Sequence, residues 1–248
     1  MPIKQIIKAL IPEAVLAKIQ SLQSKYRLTK YQNLTPQEIF SDIYNKGLWG
    51  KSSDPTQRFY SGSGSHDSSI TAIYVDSVHN FLRSLPNRPN VVDLGCGDFS
   101  VGSQIRPLCD KYTACDIVPS LIAFNKQKYQ SMDVDFRVVD LISDELPVAD
   151  VAFIRQVLQH LSNHQIEQVI PKLARSFKFL ILTEHLPAEP EFAHNLDKPA
   201  GPDIRLGIHS GVVVTSPPFN LLPIAERQLC EITEYGGLIR TTLYQLQQ

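Results

Sequence analysis

The 248-residue chain lacks an excess of charge of either sign, because 24 Lys and Arg face 25 Asp and Glu, a formal net charge of -1. A dedicated nucleic-acid-binding protein usually carries a basic excess, so we expect no nucleic-acid partner. The chain also lacks any apolar run approaching the roughly 20 residues that span a bilayer. Lys8 and Pro12 interrupt the stretch in which a secretory signal would have its apolar core. These absences predict a cytoplasmic protein.

The cysteines are few, and they lack the spacing of a metal or disulfide site. None of the four (Cys96, Cys109, Cys115 and Cys230) belongs to a CxxC pair or to a pattern with nearby histidine. They therefore resemble reduced thiols, not a disulfide framework or a zinc site. The scattered histidines also fail to form a set with ligand spacing, so we expect no metal.

The N-terminal 30 residues are unusually basic, with six Lys or Arg against the single acid Glu13. Apolar residues recur in them at helical spacing, so they predict an amphipathic helix. Such a helix can lie on an anionic membrane, or it can pack against its own domain or a second subunit. Packing is favoured, since the stripe is short and has neither Trp nor Phe.

What the chain does contain is an ordinary globular composition, 43% hydrophobic and 20% charged, at a length that suits one domain with an extension. Thr35-Pro36-Gln37-Glu38 is a capping box that predicts a helix to about Lys46. Residues 50–68 are rich in Ser and Gly and predict a loop. We therefore divide the chain into an N-terminal helical extension with this loop, residues 1–66, and a domain of residues 67–248.

Strand and helix patterns alternate from residue 90 onward, which predicts a parallel sheet covered by helices on both faces. Near the C-terminus, two apolar segments (Arg227–Thr233 and Leu238–Leu246) flank the turn signal Tyr235-Gly236-Gly237. This hairpin would add one antiparallel strand. The expected fold is α/β: a doubly wound, Rossmann-like, seven-stranded, mostly parallel sheet with N-terminal helices. Residues 185–224 form a Pro- and Gly-rich insertion long enough to have a function, often that of a lid.

A glycine-rich turn follows the first predicted strand, at Asp93-Leu94-Gly95-Cys96-Gly97. Ligands of doubly wound sheets lie beyond the carboxyl ends of the strands, where glycine permits close backbone approach. The third glycine is Gly102, and Ser100 stands where dinucleotide-binding proteins usually carry glycine. Asp93 would be a poor neighbour for pyrophosphate but suits a ligand with an ammonium group, such as S-adenosylmethionine (SAM). Alternatively, Asp93 only caps the following turn.

Two further acids end the next two strands. Asp116 stands where a carboxylate accepts from the hydroxyls of a ribose. Asp140 could accept from an adenine amino group while Leu141 lies against the ring, although an acid at a strand end is common.

The combination of the Asp93–Gly97 turn, Asp116, Asp140-Leu141 and the segment Gln156-Val157-Leu158-Gln159-His160-Leu161 resembles class I SAM-dependent methyltransferases. The terminal hairpin is also typical of that class. More narrowly, the chain from about residue 40 to its end resembles bacterial methyltransferases often found with cell-surface glycan genes. The segments that carry this narrower resemblance are Ile43-Tyr44, Leu48-Trp49-Gly50, Ser61–Ser65, Cys96–Phe99, Cys115–Pro119, Leu158–Ser162 and Pro217–Leu221.

The resemblance implies SAM as the cofactor. It implies that the motif residues and some of their sequence neighbours contact the cofactor. These residues are Asp93, Gly95, Cys96, Gly97, Asp116, Ile117, Asp140, Leu141 and Gln156. It further implies that Trp49 and the Ser61–Ser65 loop close over the methionine end. The chain departs from the narrower group at Ser100, where tryptophan is frequent, and at Arg155-Gln156, where Arg-Asp is common. Both departures concern positions near the cofactor or acceptor, which puts the acceptor in doubt.

Methylation of an oxygen needs a base that works near neutral pH, and histidine suits this best. His160 follows the fourth strand and His185 follows the fifth, so these two are the predicted catalytic residues. Glu184, Arg205 and His209 are weaker candidates, and each candidate has a structural alternative. The predicted function is methyl transfer from SAM to a small-molecule or glycan acceptor at oxygen. A nicotinamide-dependent oxidoreductase and a non-catalytic SAM-binding module are the alternatives.

Overall fold

A computed structural model describes residues 31–234 and 236–247. The prediction of a basic amphipathic helix falls on residues 1–30 and so lies outside the described residues. None of the helices in the described part of the chain is both long and apolar enough to cross a membrane.

The elements alternate between strand and helix from residue 91 to residue 187. The helices are α1 (Pro36–Lys46), α2 (Ser63–His66), α3 (Ser68–Ser84), α4 (Gly102–Ile105), α5 (Pro119–Lys128) and α6 (Asn163–Ser176). The strands are β1 (Val91–Leu94), β2 (Tyr112–Asp116), β3 (Asp135–Val138), β4 (Val151–Arg155), β5 (Phe179–Pro187), β6 (Ala193–His194), β7 (Ser210–Gly211), β8 (Ala225–Glu234) and β9 (Gly237–Gln245). Short 3₁₀ turns cover Arg106–Leu108, Leu158–His160 and Arg205–Ile208.

The main sheet has seven strands in the order β3-β2-β1-β4-β5-β9-β8. Strands β1 to β5 pair in parallel, whereas β9 runs antiparallel to both β5 and β8. The predicted doubly wound, Rossmann-like fold with one antiparallel strand is therefore confirmed. Because the strand order reverses between β1 and β4, the sheet leaves a crevice beyond their carboxyl ends, where such folds bind ligands.

Both faces of the central strands are buried, which explains their continuous apolar runs. On one face, Ile166, Val169 and Leu173 of α6 pack into a cluster with Leu180 and other strand residues. On the other face, α3 contributes Tyr74, Val78, Phe81 and Leu82 to a cluster with Tyr112 and Phe153. The two layers fix the strand ends that surround the crevice.

The alternating pattern predicts a helix from about Val101 to Asp110 and a strand over Phe177–Thr183, and both have different lengths in the structure. The helix expected from about Val101 to Asp110 is only the four residues of α4 followed by a 3₁₀ turn. Pro107 stands at this change, and an interior proline lacks the N–H that an α-helix needs and clashes with the preceding turn. Strand β5 continues beyond the expected Thr183 because β9 pairs with it as far as Pro187. The insertion therefore starts at residue 188, and it contains the small parallel pair β6–β7.

The segment before the sheet lies against the domain. Helix α1 has the predicted capping box, since the Thr35 and Glu38 side chains each bond to the other's backbone N–H. Gln37 Nε2 donates to the Ile117 carbonyl at 3.1 Å, which ties α1 to the end of β2. The proposed boundary between residues 66 and 67 stays a prediction.

Candidate active site

A cavity of ≈ 300 Å³ opens at the carboxyl ends of β1, β2, β4 and β5. Its walls also include residues of α1, the Ser61–Ser65 loop and the insertion. All the predicted site residues line it: Asp93, Gly95, Cys96, Gly97, Asp116, Ile117, Asp140, Leu141, Gln156, His160 and His185. The fold therefore brings together residues that are spread over most of the domain.

The glycine turn is packed so closely that side chains do not fit. Gly95 and Gly97 have φ of +80° and +55°. A Cβ on Gly95 would lie 2.4 Å from Val157 Cγ2, and one on Gly97 would lie 2.4 Å from Ser61 Oγ. The N–H groups of Gly95 and Cys96 donate to the Cys115 carbonyl, each at 2.8 Å. These N–H groups therefore hold the turn against β2. The two glycines allow the turn to pack closely against Val157 and Ser61, because they have no side chain.

Asp116 is buried at the end of β2, where it accepts from Gly97 N and Val118 N, each at 3.1 Å. Burial raises the pKa of this carboxyl to about 6, against the lowering effect of these backbone donors. An ionised carboxylate has about four acceptor positions. Asp116 therefore keeps capacity for further donors from the cavity.

Asp93 lies at the end of β1 with 8% of its surface exposed, and Tyr112 Oη donates to it at 3.0 Å. Burial raises the pKa of Asp93 to about 7. This hydrogen bond ties the carboxyl to the neighbouring strand β2 and not to the turn that follows Asp93. A buried acid of this kind gains most from a positively charged partner.

Asp140 is engaged in its own turn. It accepts from Ile142 N at 2.9 Å and from Ser143 Oγ at 3.1 Å, an arrangement that stabilises the chain after β3. Leu141 beside it is 8% exposed and belongs to the core cluster. The contact of both residues with adenine stays a prediction.

Sequence reasoning missed the contribution of Asp98, which is 1% exposed. Its carboxylate accepts from Ser61 N at 2.9 Å and from His66 Nε2 at 2.6 Å. Burial opposes ionisation, yet the hydrogen bond and charge of His66 outweigh it and leave the pKa of Asp98 below its usual range. Tyr60 stacks on His66 with ring centroids 4.3 Å apart. No local pattern links Asp98 to a loop more than 30 residues earlier.

Arg155 is not among the predicted site residues, but it forms part of the cavity wall. Its guanidinium donates to Ser65 Oγ at 3.1 Å and to the Gly64 carbonyl at 2.5 Å. The same group lies 4.9 Å from the centroid of the Tyr74 ring. The next residue, Gln156, has φ of +56°, and its N–H donates to the Thr183 carbonyl at 2.7 Å.

Aromatic rings and the insertion close another side of the cavity. Trp49 packs 5.2 Å from Tyr44 and 5.0 Å from His160, measured between ring centroids. Its indole Nε1 donates to the Pro202 carbonyl at 3.2 Å. The N-terminal segment and the insertion thus meet over the cavity.

His160 has the environment of a structural residue. It is 8% exposed, and its Nδ1 donates to the Gly201 carbonyl at 3.2 Å. Burial, helped by the charge of Lys198, lowers the pKa of His160 to about 3. The imidazole is therefore neutral near pH 7 and a weak proton acceptor.

His185 also lines the cavity, but at the end formed by β5, β8 and β9. Its Nε2 donates to the Glu234 carbonyl at 2.9 Å, so a neutral ring keeps its lone pair on Nδ1. Burial lowers the pKa of His185, against the raising effect of this bond. The ring is neutral and held in one orientation.

The weaker candidates lie elsewhere. Glu184 points to the opposite face of β5 and lines a separate cavity of ≈ 230 Å³. Burial raises the pKa of Glu184 to about 8, and Arg205 is the nearest compensating charge. Arg205 is fully buried and donates to the Leu161 carbonyl and to Asn163 Oδ1, which ties the insertion to the chain after β4. His209 is exposed.

Across residues 31–234 and 236–247, no three His, Cys, Asp or Glu side chains cluster as metal ligands would.

Residues 91–178, which include the glycine turn and both strand-end acids, match a family model described as a methyltransferase domain. This segment is therefore similar to methyltransferase domains. No curated protein is detectably similar in sequence to the chain.

Solved structures share the fold of this chain beyond the matched segment. The N-methyltransferase NodS from Bradyrhizobium japonicum WM9, in complex with S-adenosyl-L-homocysteine (SAH), aligns with TM-score 0.58 and 13% identity over 85% of this chain and 100% of its own. The magnesium protoporphyrin IX methyltransferase ChlM from Synechocystis PCC 6803, with bound SAM, aligns with TM-score 0.54 and 18% identity over 86% of this chain and 98% of its own. The N-terminal domain of EvdMO1, in the presence of SAH and D-fucose, gives TM-score 0.52 and 11% identity over 70% and 82%.

At these identities the structures show a shared fold, and the domain match shows the enzyme class. Together they confirm the predicted class, a SAM-dependent methyltransferase, and SAM as its cofactor. The nicotinamide-dependent oxidoreductase is not favoured.

The close packing of the glycine turn yields a test with matched controls. Gly95→Ala combines a positive φ with a clash against Val157, so we expect it to lower the free energy of unfolding by about 1–3 kcal/mol. Gly236 has a positive φ but nothing within 4 Å of a Cβ, and Gly207 has neither constraint. Urea unfolding should therefore rank the losses as Gly95→Ala, then Gly236→Ala, then Gly207→Ala. Equal losses for the first two would show that close approach to Val157 is unimportant.

Proposed function

We propose that the protein methylates an oxygen of a neutral, polyhydroxylated small molecule or glycan, with the predicted residues binding SAM. The observation that carries this proposal is one cavity lined by two buried strand-end acids at one end and by amides, imidazoles and an indole at the other. When bound, SAM supplies an electrophilic methyl group on a positively charged sulfur. The protein's own contribution is to hold donor and acceptor in line, since positioning provides much of the rate of such a displacement.

The residues present suit the nucleoside part of SAM. Asp116 has acceptor positions left for ribose hydroxyls, which fits the usual role of an acid at this strand end. Beyond it, the cavity wall is mostly apolar, with Phe40, Ile117, Val139 and Leu141. Such a wall can contact both faces of an adenine ring, and Asp140 stands beside it.

The acceptor end has groups that suit hydroxyls better than phosphates. Gln156, Gln159 and Glu234 line it, and Trp49 offers an aromatic face. Arg155 is the only Lys or Arg among the described residues that line the cavity, and its guanidinium is engaged by Tyr74, the Ser61–Ser65 loop and the Gln156 side chain. A phosphorylated acceptor would find no second cation, whereas a sugar would find hydrogen-bonding amides and a ring. The presence of D-fucose with the EvdMO1 domain, and the resemblance to glycan-associated methyltransferases, point the same way.

The two histidines take different roles in this proposal. His185 is the base, because its orientation by the Glu234 carbonyl leaves Nδ1 able to accept a proton from an acceptor hydroxyl. His160 is a positioning residue: its low pKa makes it a poor base, while its ring packs against Trp49. The assay below identifies the acceptor within this class, either a small neutral sugar or the end of a glycan.

The cofactor part is tested by calorimetry with SAH. We expect wild-type protein to bind SAH and Asp116→Ala to weaken binding at least about tenfold, because ribose hydroxyls lose a charged acceptor. Asp76→Ala, which changes an exposed aspartate on α3, is the matched control and should bind like wild type. Well-folded wild-type protein that binds no SAH would refute the cofactor assignment.

The acceptor part is tested with methyl-labelled SAM and a panel of neutral and phosphorylated saccharides. We expect methylation of neutral members, and we expect His185→Gln to lower kcat about 10²- to 10⁴-fold without changing SAH affinity. His164→Gln, which changes an exposed histidine of α6, is the control and should keep wild-type activity. Transfer only to phosphorylated members would contradict the acceptor class. SAH binding without transfer to any member would favour the non-catalytic binding module.

The raised pKa values predict how cofactor affinity depends on pH. Asp93, with a pKa of about 7, and Asp116, with a pKa of about 6, are largely protonated in the ligand-free protein at acidic pH. An ammonium group binds the ionised form of Asp93 more strongly, so SAH affinity should rise about tenfold from about pH 5.5 to pH 8 and then level off.

Asp93→Asn should remove the upper part of this rise. Since the folded pKa exceeds the unfolded value, Asp93 costs the ligand-free protein stability as pH rises through 7. The variant should therefore gain more stability relative to wild type at pH 8 than at pH 5. A pH-independent affinity in wild type would contradict the role of Asp93.

A further inference from the structure

We propose that the second cavity, on the opposite face of β5 from the candidate active site, binds an alkylammonium ion whose charge is paired by Glu184. This cavity has a volume of ≈ 230 Å³. It shares no lining residue with the cavity of the candidate active site. The inference therefore goes beyond the proposed function and does not depend on it.

The second cavity lies between the sheet and the insertion. Residues two apart on a strand share a face of the sheet, so Glu184 stands between Leu182 and Leu186 on β5. Part of the insertion, within residues 212–215, forms another wall. On the edge strand β8, Glu226 lines the cavity and is exposed, so the cavity opens to solvent at the edge of the sheet.

The carboxyl group of Glu184 is the reason for assigning a cation. Glu184 is 3% exposed, and both of its carboxyl oxygens are buried without a hydrogen-bond partner among the described residues. Burial raises the pKa of Glu184 to about 8, against the lowering effects of the charge of Arg205 and of the N–H groups of Leu158 and Gln159. A buried acid in this state gains free energy from a cation that pairs with its ionised form. A rotation of the side chain would turn the carboxyl toward the cavity that its stem lines.

The arginines around this carboxyl are engaged elsewhere. Arg205 donates to the chain after β4. Arg240 Nε donates to Glu231 Oε2 at 2.6 Å. Arg227 pairs with Leu243, a residue of the cluster under α3, so its side chain projects to the opposite face of the sheet. Each of these positive charges therefore leaves the carboxyl available to a ligand.

The remaining lining suits a short apolar stem behind the charged group. Leu182, Leu186 and Val212 are buried apolar residues of the cavity wall. Tyr244 adds an aromatic ring, whose face attracts a cation. The carboxylate of Glu226 stands at the open edge. A primary amine on a short alkyl chain matches this combination of an acid, an aromatic ring and apolar side chains.

A matched pair of probes tests the site on wild-type protein. n-Butylammonium and 1-butanol have chains of the same length, but only the first carries a charge. An NMR titration at pH 8 should show n-butylammonium binding at least about tenfold more tightly, the effect expected for hydrogen bonds to a charged group. Equal affinity for the two probes would overturn the proposal.

The pH dependence of this binding is a second readout. Because Glu184 has a pKa of about 8, it is mostly protonated at pH 7, and pairing with a cation should release close to one proton. Affinity for n-butylammonium should rise about 10- to 50-fold from pH 6 to pH 8 as the carboxyl ionises. Exposed carboxylates, guanidinium groups and phenols ordinarily titrate outside this range. The other ionisable groups around the carboxyl are of those types: Arg205, Glu226, Arg227, Glu231, Arg240 and Tyr244. A pH-independent affinity would contradict the role of Glu184.

Substitution then locates the cation. Glu184→Gln should weaken n-butylammonium binding about 10- to 100-fold and abolish the proton release. Glu167→Gln, which changes an exposed acid of α6, is the matched control and should alter neither. Asp93→Asn removes a buried acid of the candidate active site and should keep affinity within about twofold of wild type.

The outcomes distinguish the two cavities. Loss of binding in Asp93→Asn but not in Glu184→Gln would place the cation in the candidate active site and overturn the proposal. Unchanged binding in Glu184→Gln would overturn it as well. If Glu184→Gln does not fold, the probe pair and the proton release, measured on wild type and on Asp93→Asn, still decide.

Discussion

The shape of the cavity depends on the hydrogen bonds that the buried carboxylate of Asp98 accepts. Asp98 lies in the turn after β1. It accepts from the backbone N–H of Ser61, at the start of the Ser61–Ser65 loop, and from His66, which directly follows that loop. That loop presents Gly64 and Ser65 to Arg155 at the end of β4. One ionised group in the protein interior therefore links three segments that are distant in sequence. Because Asp98 is 1% exposed and accepts from both residues, its hydrogen bonds hold a loop of small residues in a fixed shape.

The same turn is held from its other side by packing. Gly95 lies against Val157, and the N–H groups of Gly95 and Cys96 bind β2. The glycines therefore bring β1, β2 and β4 together at one point, and the acids at the ends of β1 and β2 face one cavity as a result. Because this cavity is buried, it raises the pKa of Asp93 and Asp116 well above their ordinary values. Because burial disfavours their ionised forms, both acids gain free energy when a positively charged or hydroxyl-bearing group binds to them.

The insertion after β5 completes one wall of the cavity. Arg205 ties it to the chain after β4, and Trp49 from the N-terminal segment donates to Pro202 within it. His160 is enclosed where these segments meet, and that enclosure depresses its basicity. His185 has different surroundings, since it lies at the end of β5 and is oriented by the Glu234 carbonyl, although burial lowers its pKa as well.

The sequence by itself determined the order of strands and helices, the capping box of α1, the glycine turn and the acids at the strand ends. These features depend on local periodicity, on turn chemistry and on the rule that ligands of doubly wound sheets lie beyond the strand ends. Only the tertiary structure decided the length of β5, which its pairing with β9 extends, and the environments of His160, Arg155 and Asp98. Burial, pKa and unsatisfied charge depend on neighbours that lie tens of residues away along the chain, as Asp98 and His66 do. A sequence pattern gives the chemical type of each group, but its charge state and its partners are set by the fold.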